Sequence, residues 1–147
     1  MHFSGSVEIA APRERVWDFV SDPTMMGGCG PGVETVDIVD ENRFTAKAKV
    51  GVGPISAKFS VDAEFIERIA PDTATVKARG KAPGTAVDGD ARMTLRDGEA
   101  DGTTVMDWTA DVQFSGTMAS LGARLIEGTA SKLIGQTFNC VKSKLES

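Results

Sequence analysis

Residues 49–65 read KVGVGPISAKFSVDAEF, and the alternation in the second half of this stretch decides the fold. From Ile55 to Phe65 every odd position is apolar: Ile55, Ala57, Phe59, Val61, Ala63 and Phe65. Every even position is polar. Strand side chains point alternately to opposite faces, so a period of two marks a half-buried strand. The preceding NRFTAKAKVGV (42–52) alternates as well, but with its apolar residues on even numbers: Phe44, Ala46, Ala48, Val50 and Val52. The phase flips across Gly51–Pro54, as a hairpin turn or bulge makes it do. Gly51-Val52-Gly53-Pro54 is a turn and not a phosphate cradle, because no helix N-terminus follows it.

The same pattern extends both ways. HFSGSVEIA (2–10) reads as a first strand, and APRERVWDFVSDP (11–23) as a helix with Val16, Phe19 and Val20 at helical spacing. Asp22-Pro23 ends that helix, since the residue before proline resists the helical region. TMMGGC (24–29) reads as a short second helix and VETVDIVDE (33–41) as a second strand. Residues 71–80, 85–96 and 103–114 form three more strands, the last with Met106, Trp108, Ala110, Val112 and Phe114 on one side. From Thr117 to Leu145 the period is helical: Met118, Leu121, Leu125, Leu133, Phe138, Val141 and Leu145 step by threes and fours. Gly122, Gly128 and Gly135 interrupt this stripe and mark a bend, a close approach to another backbone, or tolerated surface positions.

An antiparallel sheet with one apolar face needs a cover, and only the final helix is long enough to supply it. The expected fold is α+β, of helix-grip type. A curved antiparallel sheet of about seven strands wraps on a long C-terminal helix, with one or two short helices after strand 1. Residues 1–147 form a single domain on this reading.

Composition narrows the function. The net charge of −5 argues against a nucleic-acid partner. Lys132, Lys142 and Lys144 read as a solvated helix face. The start of the chain has no apolar signal-like region, and no stretch approaches the ~18 apolar residues of a membrane span. A soluble, cytoplasmic protein is expected, with Cys29 and Cys140 reduced and Cys140 in the core. His2 is the only histidine and there is no tyrosine. Asp107, Asp111 and Glu8 fall on outward faces by parity. Met25, Met26 and Cys29 lack the further ligands a metal site needs. No catalytic residue and no metal ligand is assigned.

The inward face is rich in alanine: Ala46, Ala48, Ala57, Ala63, Ala74, Ala78, Ala91 and Ala110, with Gly80 and Gly89. Such small side chains leave space beneath the helix. An apolar void costs about 24 cal/mol per Å3, so ~300 Å3 left dry would cost on the order of 7 kcal/mol. That is comparable with the whole stability of a domain. Either the helix's Leu, Ile and Phe side chains plug the space, or it is an apolar cavity for a lipid-like molecule.

The combination of AAPRERVWDFVSDP, C-GPGVE, KAKVGVGPISAKF and SLGARLIEGTASKLIGQTF resembles the CoxG family, associated with carbon monoxide dehydrogenase. That family belongs to the superfamily of START-like and polyketide-cyclase-like proteins, and the similarity spans essentially the whole chain. The resemblance implies an accessory protein that is not itself an enzyme. Its partner would be an aerobic molybdenum hydroxylase of the carbon monoxide dehydrogenase type. It would work at the inner face of the cell membrane, where electrons pass to quinone. Many members make the membrane contact through a C-terminal extension, whereas this sequence stops at Ser147, directly after the helix pattern.

Joined to the cavity reading, this implies a carrier with no covalent cofactor and a bound quinone, menaquinone or ubiquinone. The expected lining is Phe59, Val61, Phe65, Val76, Met93, Met106, Trp108, Leu121, Leu125 and Phe138, with Met25 and Met26 gating the mouth. Two other readings stand beside it. One is a recruitment or assembly factor acting through its surface with a filled core. The other is a small cyclase-type enzyme, which would need a buried titratable group in the cavity.

Overall fold

The computed structural model describes residues 1–146. In chain order these contain β1 (His2–Ile9), α1 (Arg13–Val20), α2 (Pro23–Gly27), β2 (Val33–Ile38), β3 (Arg43–Val52), β4 (Ile55–Ile69), β5 (Thr73–Ala82), β6 (Thr85–Asp97), β7 (Thr104–Gly116), a 3₁₀ turn (Thr117–Leu121) and α3 (Ala123–Glu146). The strands make one seven-stranded sheet in the order β1-β7-β6-β5-β4-β3-β2. Every neighbouring pair is antiparallel. This is the expected α+β helix-grip architecture.

The phase flip has a simple cause. Val52 pairs directly with Ile55, so the β3–β4 turn has two residues, Gly53 and Pro54. Directly paired residues share a face, and here they differ by three in number, which exchanges odd for even. Gly53 takes a φ of +59°, as the first position of a tight hairpin asks. β4 runs past Phe65 to Ile69 with a register shift between Phe65 and Glu67, a bulge that the alternation alone does not show.

The short helices have ordinary local causes. The Pro12 carbonyl accepts from Val16 N–H at 3.0 Å, which places the proline one position before α1. The Asp22 carboxylate accepts from the Thr24 and Met25 amides at 2.9 and 3.3 Å, and Pro23 occupies the first turn of α2. The final helical stretch is divided. Gly122, with φ +91°, separates the 3₁₀ turn from α3 and is the expected bend. A Cβ added at Gly122, Gly128 or Gly135 would meet nothing within 4 Å, so none of them marks a close backbone approach.

Two apolar clusters hold the sheet to its cover. One gathers Ile9, Val16, Trp17, Phe19, Ala74, Leu95 and Met106 around Val141 and Leu145 of α3, with Met26, Met93 and Phe138 packed against it. Ile9, Val16 and Val141 are fully buried, and each such side chain contributes about 1.5–3 kcal/mol. The second gathers Val52, Phe59 and Met118, with Val61, Val87, Phe114 and Leu121 around them. Thr104 is buried without loss because its hydroxyl donates to the Ala11 carbonyl at 2.7 Å.

The cysteines correct the sequence expectation. Cys29 and Cys140 form a disulfide, with Cα atoms 5.4 Å apart and a sequence separation of 111. The expectation of two reduced thiols came from their number and from the compartment. Packing of the loop after α2 on α3 brings them within bridging range, which no spacing rule reveals.

Candidate functional site: an apolar cavity under the first half of α3

Bordered by the second cluster, under the first half of α3, lies a cavity of about 400 Å3. Its floor is the middle of the sheet: Ala48, Val50 and Val52 from β3, Phe59 and Val61 from β4, Val76, Ala78 and Gly80 from β5, then Val87, Gly89 and Ala91 from β6 and Ala110, Val112 and Phe114 from β7. Its roof is Met118 and one face of α3, formed by Ile126, Thr129, Ala130 and Leu133. These last four step by three, one and three, so they stand on a single helical stripe. Along the helix the space over the alanine-rich face is plugged at one half and left open at the other. Phe138, Val141 and Leu145 plug the space under the second half, while Thr129 and Ala130 are too short to do so under the first.

The cavity walls are almost wholly apolar. Asp90 borders them but is exposed. Thr129 is the other polar member, and its hydroxyl donates to the Leu125 carbonyl at 3.0 Å, inside the helix. Such a space can bind apolar matter and exclude water, but its lining holds no buried titratable side chain for proton transfer.

A groove adjoins the cavity. It is bordered by Gly51 and Gly53 of the β3–β4 hairpin and by Leu121, Arg124, Leu125, Gly128, Lys132 and Gln136. Thr129 and Leu133 line both spaces. The gap exists because the β2–β3 pairing stops at Ala48, leaving the last residues of β3 at the open edge of the sheet. Leu125 leans on the hairpin, where a Cβ at Gly53 would come 2.8 Å from its Cδ2.

The expected lining residues separate into three groups. Phe59, Val61 and Val76 line the cavity. Leu121 and Leu125 line the groove. The others lie elsewhere. Met93, Met106 and Phe138 belong to the first core cluster. Trp108 packs on Phe138 with ring centroids 5.6 Å apart. Phe65 stacks near Phe44 at 5.9 Å beneath the Arg68 guanidinium. Met26 packs on the core, and Met25 is 52% exposed on α2. Neither methionine borders the cavity, because the Asp22 cap and the packing of α2 on β2 hold them on another side. The expected lining took large residues and left out Ala48, Ala78, Ala91 and Ala110, which the sequence marks as leaving the space, together with Thr129 and Ala130. Their small size was the available signal, since residues that create a space also border it.

On the outer face, Asp107 accepts from Arg96 Nε at 2.8 Å and from the Ser6 hydroxyl. These bonds, the Arg96 one foremost, hold its carboxyl below the ordinary carboxylate range. Among the described residues no group of three His, Cys, Asp or Glu side chains is placed to hold a metal ion. Among them, too, no helix is long and apolar enough to cross a membrane.

A sheet closed over one long helix with an apolar space between them defines the fold, the START-like helix grip. Solved structures agree on the fold. A conserved protein from Geobacillus kaustophilus superposes with a TM-score of 0.92 at 21% identity, covering 99% of this chain and 95% of its own. The Zhui aromatase/cyclase from Streptomyces sp. R1128 gives 0.72 at 16% identity over 99% and 93%. A START superfamily protein from Mycobacterium smegmatis gives 0.74 at 12% over 99% and 97%. None of the curated proteins matches the chain. The chain belongs to the CoxG family of carbon monoxide dehydrogenase subunits, whose profile matches residues 5–146.

Proposed function

We propose that the protein is a non-catalytic accessory of an aerobic carbon monoxide dehydrogenase, a molybdenum hydroxylase. It holds an apolar lipid-like ligand in the cavity, a quinone of the menaquinone or ubiquinone type, and links the enzyme to the quinone pool of the membrane. The observation that carries this reading is the cavity: about 400 Å3 with walls that offer a guest apolar contact and almost nothing else. Burying ~400 Å2 of apolar ligand surface gains on the order of 10 kcal/mol, and an association cost of about 4 kcal/mol leaves binding of roughly tens of micromolar. Membership of the family supports a carbon monoxide dehydrogenase as the partner.

The test is mass spectrometry of the lipid extract of protein purified from its native host, with titration of the delipidated protein by added quinone. Recovery of a quinone and saturable rebinding support the proposal. Protein that carries no quinone and binds none refutes it. One observation favours a second reading, recruitment of the dehydrogenase through the protein's surface. Ile38, Val39, Ile66 and Ile69 are all more than half exposed. In that case capture of the dehydrogenase survives filling of the cavity.

A further inference from the structure

The cavity and its groove divide their chemistry unevenly. The cavity has no free polar donor, since the Thr129 hydroxyl is already directed to Leu125. The groove carries Arg124, Lys132 and Gln136. Among the described residues neither Arg124 nor Lys132 has a carboxylate partner; the ion pairs use other side chains. Arg124 and Lys132 stand four residues either side of Gly128, about 12 Å apart along the helix axis at its 1.5 Å rise. Gly128 presents no side chain, and the space over it is open. Arg and Lys side chains donate hydrogen bonds and cannot accept them.

From this division we infer that the site takes an amphipathic ligand in one orientation. The apolar stem lies in the cavity, and an acceptor-bearing head lies over Gly128 between Arg124 and Lys132. The cavity also limits the stem. At about 30 Å3 for each methylene-sized group, roughly the volume of a water, 400 Å3 accepts ~13 carbons, between two and three isoprenoid units. A longer tail gains no further burial inside the cavity. A carbonyl, carboxylate or hydroxyl oxygen can each accept from the two cations. That the head is a quinone ring rests on the function proposed above. The orientation itself requires only an acceptor, neutral or anionic.

The experiment is displacement of an apolar fluorescent dye from the delipidated protein. The probes are menaquinone analogues bearing one, three and eight isoprenoid units, and pentadecanoate as an anionic stem of the same length. They are tested on wild type, Arg124→Gln, Lys132→Gln and the double variant. All four proteins should fold alike, because both side chains are exposed on α3. The expected result is at least tenfold tightening from one to three units and none from three to eight, with at least tenfold loss in the double variant. Affinity that rises through eight units, or that ignores both substitutions, overturns the orientation and leaves the quinone function standing. Pentadecanoate binding that depends on Arg124 and Lys132, with no quinone bound, keeps the orientation and overturns the quinone function. Binding of none of the probes overturns both.

Discussion

Cys29 and Cys140 are bridged although they lie 111 positions apart in the chain, and the bridge fastens α3 to the loop that follows α2. Cross-linking a loop of that length restricts the unfolded chain, and bridges of this kind typically contribute about 2–4 kcal/mol. Cys140→Ser, or reduction of the wild type, should lower the thermal midpoint by several degrees. Equal midpoints with and without reductant would show that the two thiols are unlinked in solution.

Ala110 borders the cavity, whereas Ala63 is buried outside it, opposite Phe44 and Ala78. Ala110→Leu extends into empty space. It should abolish ligand binding and shift the thermal midpoint by no more than a few degrees. Ala63→Leu overfills a packed site at a cost of about 1–3 kcal/mol and should leave binding intact. Equal ligand affinity in the Ala110→Leu protein would place the ligand somewhere other than this cavity.

Thr104 is 0% exposed and its hydroxyl satisfies the Ala11 carbonyl. Thr104→Val keeps the shape and strands that carbonyl. The expected loss is about 1–3 kcal/mol in urea unfolding. A loss under about half a kcal/mol, on the scale of ordinary surface changes, would mean that water replaces the hydroxyl.

Asp107 titrates lower when folded than when unfolded, chiefly because Arg96 donates to it and secondarily because Ser6 does. A carboxyl depressed in this way adds stability above its unfolded value, near pH ~4, and loses it as the pH falls through the folded value. Asp107→Asn should therefore flatten the fall in urea midpoint below about pH 4 while leaving the dependence above about pH 5 unchanged. An unaltered slope would remove Asp107 from the acid response.

Much of the fold was legible because the sheet states its parity openly. Val52 and Ile55 announce the hairpin, and the change to a helical period at Thr117 announces the cover. The site was legible only in part. Parity tells which side of the sheet a residue faces but not how far along the strand the helix meets it. Met93 and Ala91 share a face, as do Met106 and Ala110. Yet the methionines lie under the packed end of α3, and the alanines border the cavity under the other end. The disulfide was hidden for a related reason. It joins parts of the chain that meet only through packing, and neither local spacing nor residue count encodes that meeting.

α3 is secured at one end and spans a vacancy at the other. Val141 lies about 16 Å along the axis from Ala130, beyond the range at which substitutions usually influence one another. On α3, changes that alter the shape of the guest chamber therefore fall on different turns from changes at the Val141 and Leu145 anchor. The two sets can accumulate separately, so a lineage built on this frame is free to exchange its cargo without rebuilding its foundation.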